Sequence, residues 1–217
     1  MSKIRTTEQF IDFVSSDIAW RTKELAVLLS QIKKTPAGSA KSRTMIRAGI
    51  TVLYAHWEGF IKSASTAYLE LISRQKISYG ELAICFRAIA VKEKLKIAAS
   101  STTLKTDILI EATNFLLNKQ DDRCFLNWEK LINTRSNLNS VVLKEVVLTV
   151  GLDYSLFATK EKLIDNVLLH YRNNIAHGIG MYPTFEEYEN LYREITNLIS
   201  LFRNQIENAA ILETYKA

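Results

Sequence analysis

Imidazole chemistry has few places to occur in this chain, because its 217 residues include three histidines, His56, His170 and His177. Two of them flank one polar run, His170-Tyr-Arg-Asn-Asn-Ile-Ala-His177. A shared metal is the first chemistry to weigh. Seven residues apart on a helix, the two imidazoles face the same way but lie about 10.5 Å apart along the axis. One zinc ion needs its nitrogen ligands at about 2.0–2.1 Å, so a shared metal is excluded if the helix holds through His177, and no metal or other cofactor is expected. Cys85 and Cys124 are isolated thiols without Cys-x-x-Cys spacing and are expected as small buried hydrophobes. Phosphate-loop, dinucleotide-binding, zinc-protease and serine-hydrolase signatures do not occur.

Acid–base work on a phosphodiester fits the run better. Asn173 and His177 are four apart and share a helical face, so the amide can orient the imidazole or contact a substrate. Arg172 lies about 100° further round, but its long planar fork can reach a phosphate. Imidazole exchanges a proton near neutral pH, and guanidinium stabilises the added charge of a pentacoordinate phosphate. RNA brings its own nucleophile, the 2′-hydroxyl, so neither serine nor cysteine is required. The alternative is structural: Arg172 would pair with a carboxylate of a neighbouring helix, and His177 would cap a helix C-terminus, where the dipole favours a cation.

The elements that must position these residues read as helices. Thr7 to Ile32 carries Phe10, Phe13, Val14, Ile18, Leu25, Leu28, Leu29 and Ile32 at mostly three- and four-residue steps. Lys34-Thr-Pro-Ala-Gly-Ser-Ala-Lys-Ser42 breaks the pattern, and a second helix is expected from about Arg43 to Gln75, long enough to be the spine of a bundle. Ser78 and Glu81 have capping-box spacing and predict a helix start. Shorter helices are expected at about Thr106–Leu117, Phe125–Leu131 and Asn139–Val150, the last stopped by Gly151. Its stretch VVLKEVVLTV also carries enough β-branched residues to read as a strand. Thr159 to Ala176 reads as a helix ended by Gly178, and Pro183 with Thr184 opens a final one through Tyr188, Leu191, Ile195, Leu198, Phe202 and Ile206. Two long antiparallel helices near the C-terminus result, with the polar run at the end of the first.

Composition agrees with one domain built from helices. Apolar residues are 47% and charged residues 24%, enough for a core, while 7 Gly and 2 Pro leave few breaks. No stretch approaches the roughly 20 apolar residues of a membrane span, and the N-terminus lacks a secretory signal's apolar segment. No membrane association is expected, and the expected location is cytoplasmic. The formal charge of +5 is concentrated: from Arg21 to Ile50, seven basic residues face Glu24 alone. Within that stretch Lys33, Lys34, Lys41, Arg43 and Arg47 are the candidate contacts to a polyanion, the alternative being a solvated loop between helix ends.

The segment Arg172-Asn-Asn-Ile-Ala-His177-Gly178 resembles the R-x4-6-H motif of the HEPN superfamily, including the polar residue directly after the arginine. Tyr54-Ala-His-Trp-Glu-Gly-Phe-Ile-Lys62 resembles the corresponding long helix of a prokaryotic HEPN-like nuclease branch, and the two segments follow in the family's order about 110 residues apart. The resemblance spans most of the chain and is weakest between about 95 and 150. It implies an all-α helical bundle, a homodimer in which Arg and His meet their symmetry mates over RNA, and a metal-independent endoribonuclease of toxin or antiviral defence type. An antitoxin or defence-system partner would go with that role. Carried over by position, Arg172 stabilises phosphate charge, His177 acts as acid or base, Asn173 supports them, and Glu58 stands behind Arg172. For Glu58, Trp57 and His56, core packing with one buried ion pair is the alternative. A non-catalytic helical module binding nucleotide, RNA or protein is the competing function, and a structural adaptor a third. Ile179 stands where some toxins of the family carry a modifiable tyrosine, which puts neutralisation by tyrosine adenylylation in doubt.

Overall fold

The structure is a computed structural model that describes residues 3–98 and 106–217. Thr6 starts the first helix, α1 (Thr7–Lys33), with a reciprocal capping box to Gln9. After the turn at Pro36 and Gly38, Ser39 caps α2 (Ala40–Arg74), whose side chains at Trp57, Phe60, Ile61, Tyr68, Leu71 and Ile72 are fully buried. An apolar stripe of this length buries itself only if other helices lie along it. Those are α1 on one side and the last helix on the other.

Between them come α3 (Ile84–Ala98), α4 (Thr106–Asn118), the single turn α5 (Trp128–Leu131) and α6 (Ser140–Thr149). The Ser78–Glu81 pair does not start a helix. The Glu81 carboxylate accepts from the Ser78 N–H and hydroxyl at 2.7 and 2.8 Å, but this closes a turn. Neighbouring backbone groups are committed elsewhere: Tyr79 donates to the Asp122 carbonyl, Gly80 to Gln120, and Cys124 to Ile77. With this backbone paired to residues 120–124 of the same chain, the helix is postponed to Ile84. The helix expected from Phe125 shrinks to α5 for a similar reason, since the buried Ser73 hydroxyl takes both the N–H and the carbonyl of Leu126. The β-branched stretch is helical. Asn139 caps it at Val142, Gly151 at φ +69° ends it, and Val142, Leu143, Val146 and Val147 fall on its buried face. Apolar spacing here outweighs strand propensity.

The chain then makes α7 (Ser155–Ala158), α8 (Glu161–Leu163), a π-helical turn (Ile164–Leu169) and α9 (His170–Ala176), the last three forming one rod. The helix α10 (Phe185–Ile211) follows, with Thr184 and Glu187 in a second capping box. Rod and α10 run antiparallel, bridged by Lys160 to Glu194 at 2.6 Å and Tyr171 to Glu187 at 3.1 Å. Both rest on α2. At Gly49 the three long helices converge: a Cβ there would stand 2.8 Å from Ile32 Cδ1 of α1 and 2.9 Å from Tyr188 Cε2 of α10. The fold is thus an all-α bundle around α2. Among the described residues no helix is long and apolar enough to cross a membrane.

Candidate functional site

The polar run occupies α9 and the turn after it. The π turn just ahead is a geometry common near functional positions, and its Asp165 accepts from Ser140 N and Oγ at 2.7 and 2.5 Å, tying the rod to the start of α6. The rod stops one residue before His177, which is the C-cap and still donates its N–H to the Asn173 carbonyl. Gly178, at φ +75°, donates to Ile175, and Ile179 donates to Asn174. These two bonds form a Schellman closure, which needs a residue tolerant of the left-handed region at Gly178. The His177 side chain is exposed and has no hydrogen-bond or ion-pair partner among the described residues.

Arg172 points to a different neighbourhood. Its Nη1 donates to Asn173 Oδ1 at 2.8 Å, its Nη2 reaches the Ser136 carbonyl at 3.4 Å, and the guanidinium lies 4.7 Å from the Tyr54 ring centroid. No carboxylate of the described residues comes within ion-pairing distance, so a half-buried cation is held by neutral groups and an aromatic face. Its charge therefore remains available to an anion. Glu58, one turn along α2 from Tyr54, does not touch Arg172; its carboxylate accepts a short hydrogen bond from Thr134. The Tyr54 hydroxyl accepts from the Leu138 N–H at 2.8 Å, and burial, reinforced by the neighbouring Glu58 carboxylate, holds its proton on well above the usual tyrosine value. Tyr54 thus meets Arg172 with its ring and the Leu138 backbone with its hydroxyl. Asn173 supports Arg172 rather than His177.

The loop that meets Arg172 is conformationally unusual. Arg135 and Ser136 sit at φ +54° and +53°, a region that costs a non-glycine residue about 1–3 kcal/mol. The Arg135 N–H donates to Asn133 Oδ1, and Asn137 donates to the Thr134 carbonyl. This aims the Ser136 carbonyl at the guanidinium.

The basic stretch divides. Lys33, Lys34, Lys41 and Arg43 are exposed around the α1–α2 turn, with Arg43 donating back to the Gly38 carbonyl. Arg47 braces the loop after His177 instead, donating to the carbonyls of Ile179 and Met181 at 2.8 and 2.9 Å, and Arg43 and Arg47 both flank the Tyr182 ring. The basic end of α2 therefore adjoins the end of the polar run. Sequence reasoning did not single out Tyr54, Thr134 or Ser136. The four-residue spacing of Tyr54 and Glu58 was a usable signal, whereas nothing local marks Thr134 or Ser136.

The α2 segment from Tyr54 to Lys62 serves three faces. Tyr54 faces Arg172 and Glu58 faces Thr134, Trp57 and Phe60 enter the core, and His56 and Gly59 face α1. There the nearly buried Arg21 binds Asp17 at 3.1 Å and the His56 carbonyl at 3.4 Å, and a Cβ at Gly59 would meet its guanidinium at 2.8 Å. His56 Nε2 lies 2.7 Å from Glu24, and its ring is edge-on to Trp20. Burial lowers the His56 pKa despite the opposing pull of Glu24. A depressed value in the folded state means that the unfolded chain takes up this proton more readily. Stability from neutral His56 is thus full above about pH 6.5 and is lost as pH falls through the folded value. Urea unfolding at about pH 7.5 and 5.5 should show a loss in the wild type that shrinks in His56→Gln. Equal losses would clear His56 of any part in it.

Among the described residues no group of three His, Cys, Asp or Glu side chains gathers as a metal site. Searches of curated proteins and of solved structures find no match. The family model described as RiboL-PSP-HEPN matches residues 16–208, nearly the whole bundle and all of the polar run, and the chain belongs to this HEPN family.

Proposed function

We propose that the protein is a metal-independent endoribonuclease of toxin or defence type that cuts RNA by attack of the 2′-hydroxyl on the adjacent phosphate. The observation that carries this reading is the presence, along one short helix and its C-cap, of an Arg172 cation that no carboxylate of the described residues neutralises and an exposed His177 that has no side-chain partner among them. Arg172 would hold the charge that builds on the phosphate, and His177 would take the 2′ proton or give one to the leaving 5′ oxygen. Asn173 and Tyr54 would keep the guanidinium aimed. Lys33, Lys34, Lys41 and Arg43 would draw in the RNA backbone beside the motif. The site would work in a homodimer in the cytoplasm, restrained by an antitoxin or another defence-system component.

Product chemistry tests it directly. The 3′ ends should carry a 2′,3′-cyclic phosphate and the 5′ ends a free hydroxyl, EDTA should leave the rate unchanged, and one 2′-deoxynucleotide at the scissile position should stop the cut. Loss of activity in EDTA restored by magnesium or manganese would replace this mechanism with another. One observation favours a second reading, a non-catalytic module that binds nucleotide, RNA or a protein. Five residues apart, Arg172 and His177 project about 140° from each other around the helix, so one chain does not hold them face to face. RNA binding without turnover at any salt or pH would favour that reading.

A further inference from the structure

A cavity of about 710 Å³ opens beside the candidate site, between α3, α6 and the segment 125–135. Its size is that of a small-ligand site. Part of its lining is aromatic: Phe125 is 66% exposed and its ring packs against Trp128 at a steep angle, with 6.4 Å between ring centroids. The lining is also cationic, with Lys92, Lys130 and Arg135 against the single carboxylate of Glu145. Glu145 is occupied by Lys92 at 2.7 Å and approached by Arg135 at 3.9 Å, while Lys130 has no ion-pair partner among the described residues. Val142 and Val146 add apolar lining. A flat apolar ligand carrying negative charge fits this lining, and a nucleotide is that ligand: an aromatic face stacks on any base, and the cations take its phosphate.

The cavity also touches the scissile site through one peptide unit. Arg135 lines its wall, and the next residue, Ser136, offers its carbonyl to Arg172. Adjacent Cα atoms are about 3.8 Å apart, so the cavity wall and the carbonyl that meets Arg172 belong to neighbouring residues of one loop. We infer that this cleft binds the neighbouring nucleotide of the single-stranded RNA that is cut, with its base against Phe125 and its phosphate on Lys130 and Arg135. The inference rests on the ribonuclease reading for the identity of the strand. It gives the enzyme a subsite for unpaired RNA, because a base must be unstacked from its neighbours to lie against Phe125.

Binding can be read without cleavage. Full-length His177→Ala protein is titrated into a fluorescently labelled single-stranded decaribonucleotide and followed by anisotropy, alone and with Phe125→Ala or Lys130→Gln added. Both positions are exposed, so the circular dichroism of these variants should match the parent. Each should weaken RNA binding about tenfold, as expected for a lost stacking platform or backbone contact, and Lys130→Gln should also flatten the salt dependence by about 0.7 log units. Uridine 5′-monophosphate, titrated in parallel, separates a free nucleotide from a strand. Unchanged RNA affinity in both variants would overturn the inference. So would monophosphate binding that needs Phe125 while RNA binding does not. If the wild-type protein cuts no RNA yet these variants lose RNA affinity, the cleft stands and the ribonuclease reading falls. If it cuts RNA and the variants bind as before, the reverse holds.

Discussion

Replacing either Arg172 or His177 by alanine should lower RNA cleavage at least about a hundredfold, the scale of a lost charge stabiliser or a lost general acid–base group. The folded state should survive both changes. His177 has no side-chain partner among the described residues to lose, and its part in closing the helix is played by its backbone N–H, which alanine keeps. Arg172 gives up hydrogen bonds to Asn173 and the Ser136 carbonyl and its contact over the Tyr54 ring, while every buried apolar side chain, Tyr54 included, is kept. Circular dichroism and the urea midpoint should therefore stay close to the wild type while single-turnover cleavage collapses. A variant that keeps near-wild-type cleavage would take that residue out of the mechanism.

The same two variants test whether two subunits share the site. Around one helix the arginine and histidine diverge, whereas a two-fold axis beside α9 would bring His177 of each subunit toward Arg172 of the other. Co-expressed Arg172→Ala and His177→Ala chains, purified as heterodimers, should then recover some of the activity that each lacks alone. A verified heterodimer as inactive as its parents, or full activity in a proven monomer, would refute the shared arrangement.

The largest loss of stability is expected at Phe202. Its side chain is fully buried where α10 meets α2 and α7, with the Phe60 ring 6.3 Å away at 82° and the Phe157 ring 6.4 Å away at 57°. Phe202→Ala removes a ring from between two others that cannot easily close the gap, a change worth about 3–5 kcal/mol. A domain of ordinary stability, about 5–15 kcal/mol, would lose much of its margin. The urea midpoint should fall with an unchanged slope. Truncating Ile211 on the same helix, which is exposed, should move stability by no more than about 0.5 kcal/mol. A loss under about 1 kcal/mol for Phe202→Ala would mean that the junction relaxes around the missing ring.

The long helices were legible because their causes are local. Thr184 and Asn139 sit where their oxygens cap a helix start, Gly151 and Gly178 sit where a left-handed residue ends one, and the apolar spacing along α1, α2 and α10 predicts the faces that pack. The run from Arg172 to His177 was legible for the same reason, since its residues are contiguous and a helix fixes their relative directions. What local pattern suggested and distant partners revised is equally specific. Ser78 and Glu81 have the spacing of a helix start, but the backbone around them pairs with residues 120–124. Arg47 reads as one more surface cation until the loop 132 residues later brings its carbonyls to it. Glu58 was placed behind Arg172 by position, whereas the bundle sets Tyr54 between them and gives its carboxylate to Thr134. Charge, helix ends and apolar period are carried by neighbours in the chain, so the sequence by itself determined the helices and the residues offered for chemistry. Which carbonyl, ring or carboxylate each of those residues meets depends on segments that only tertiary packing brings together.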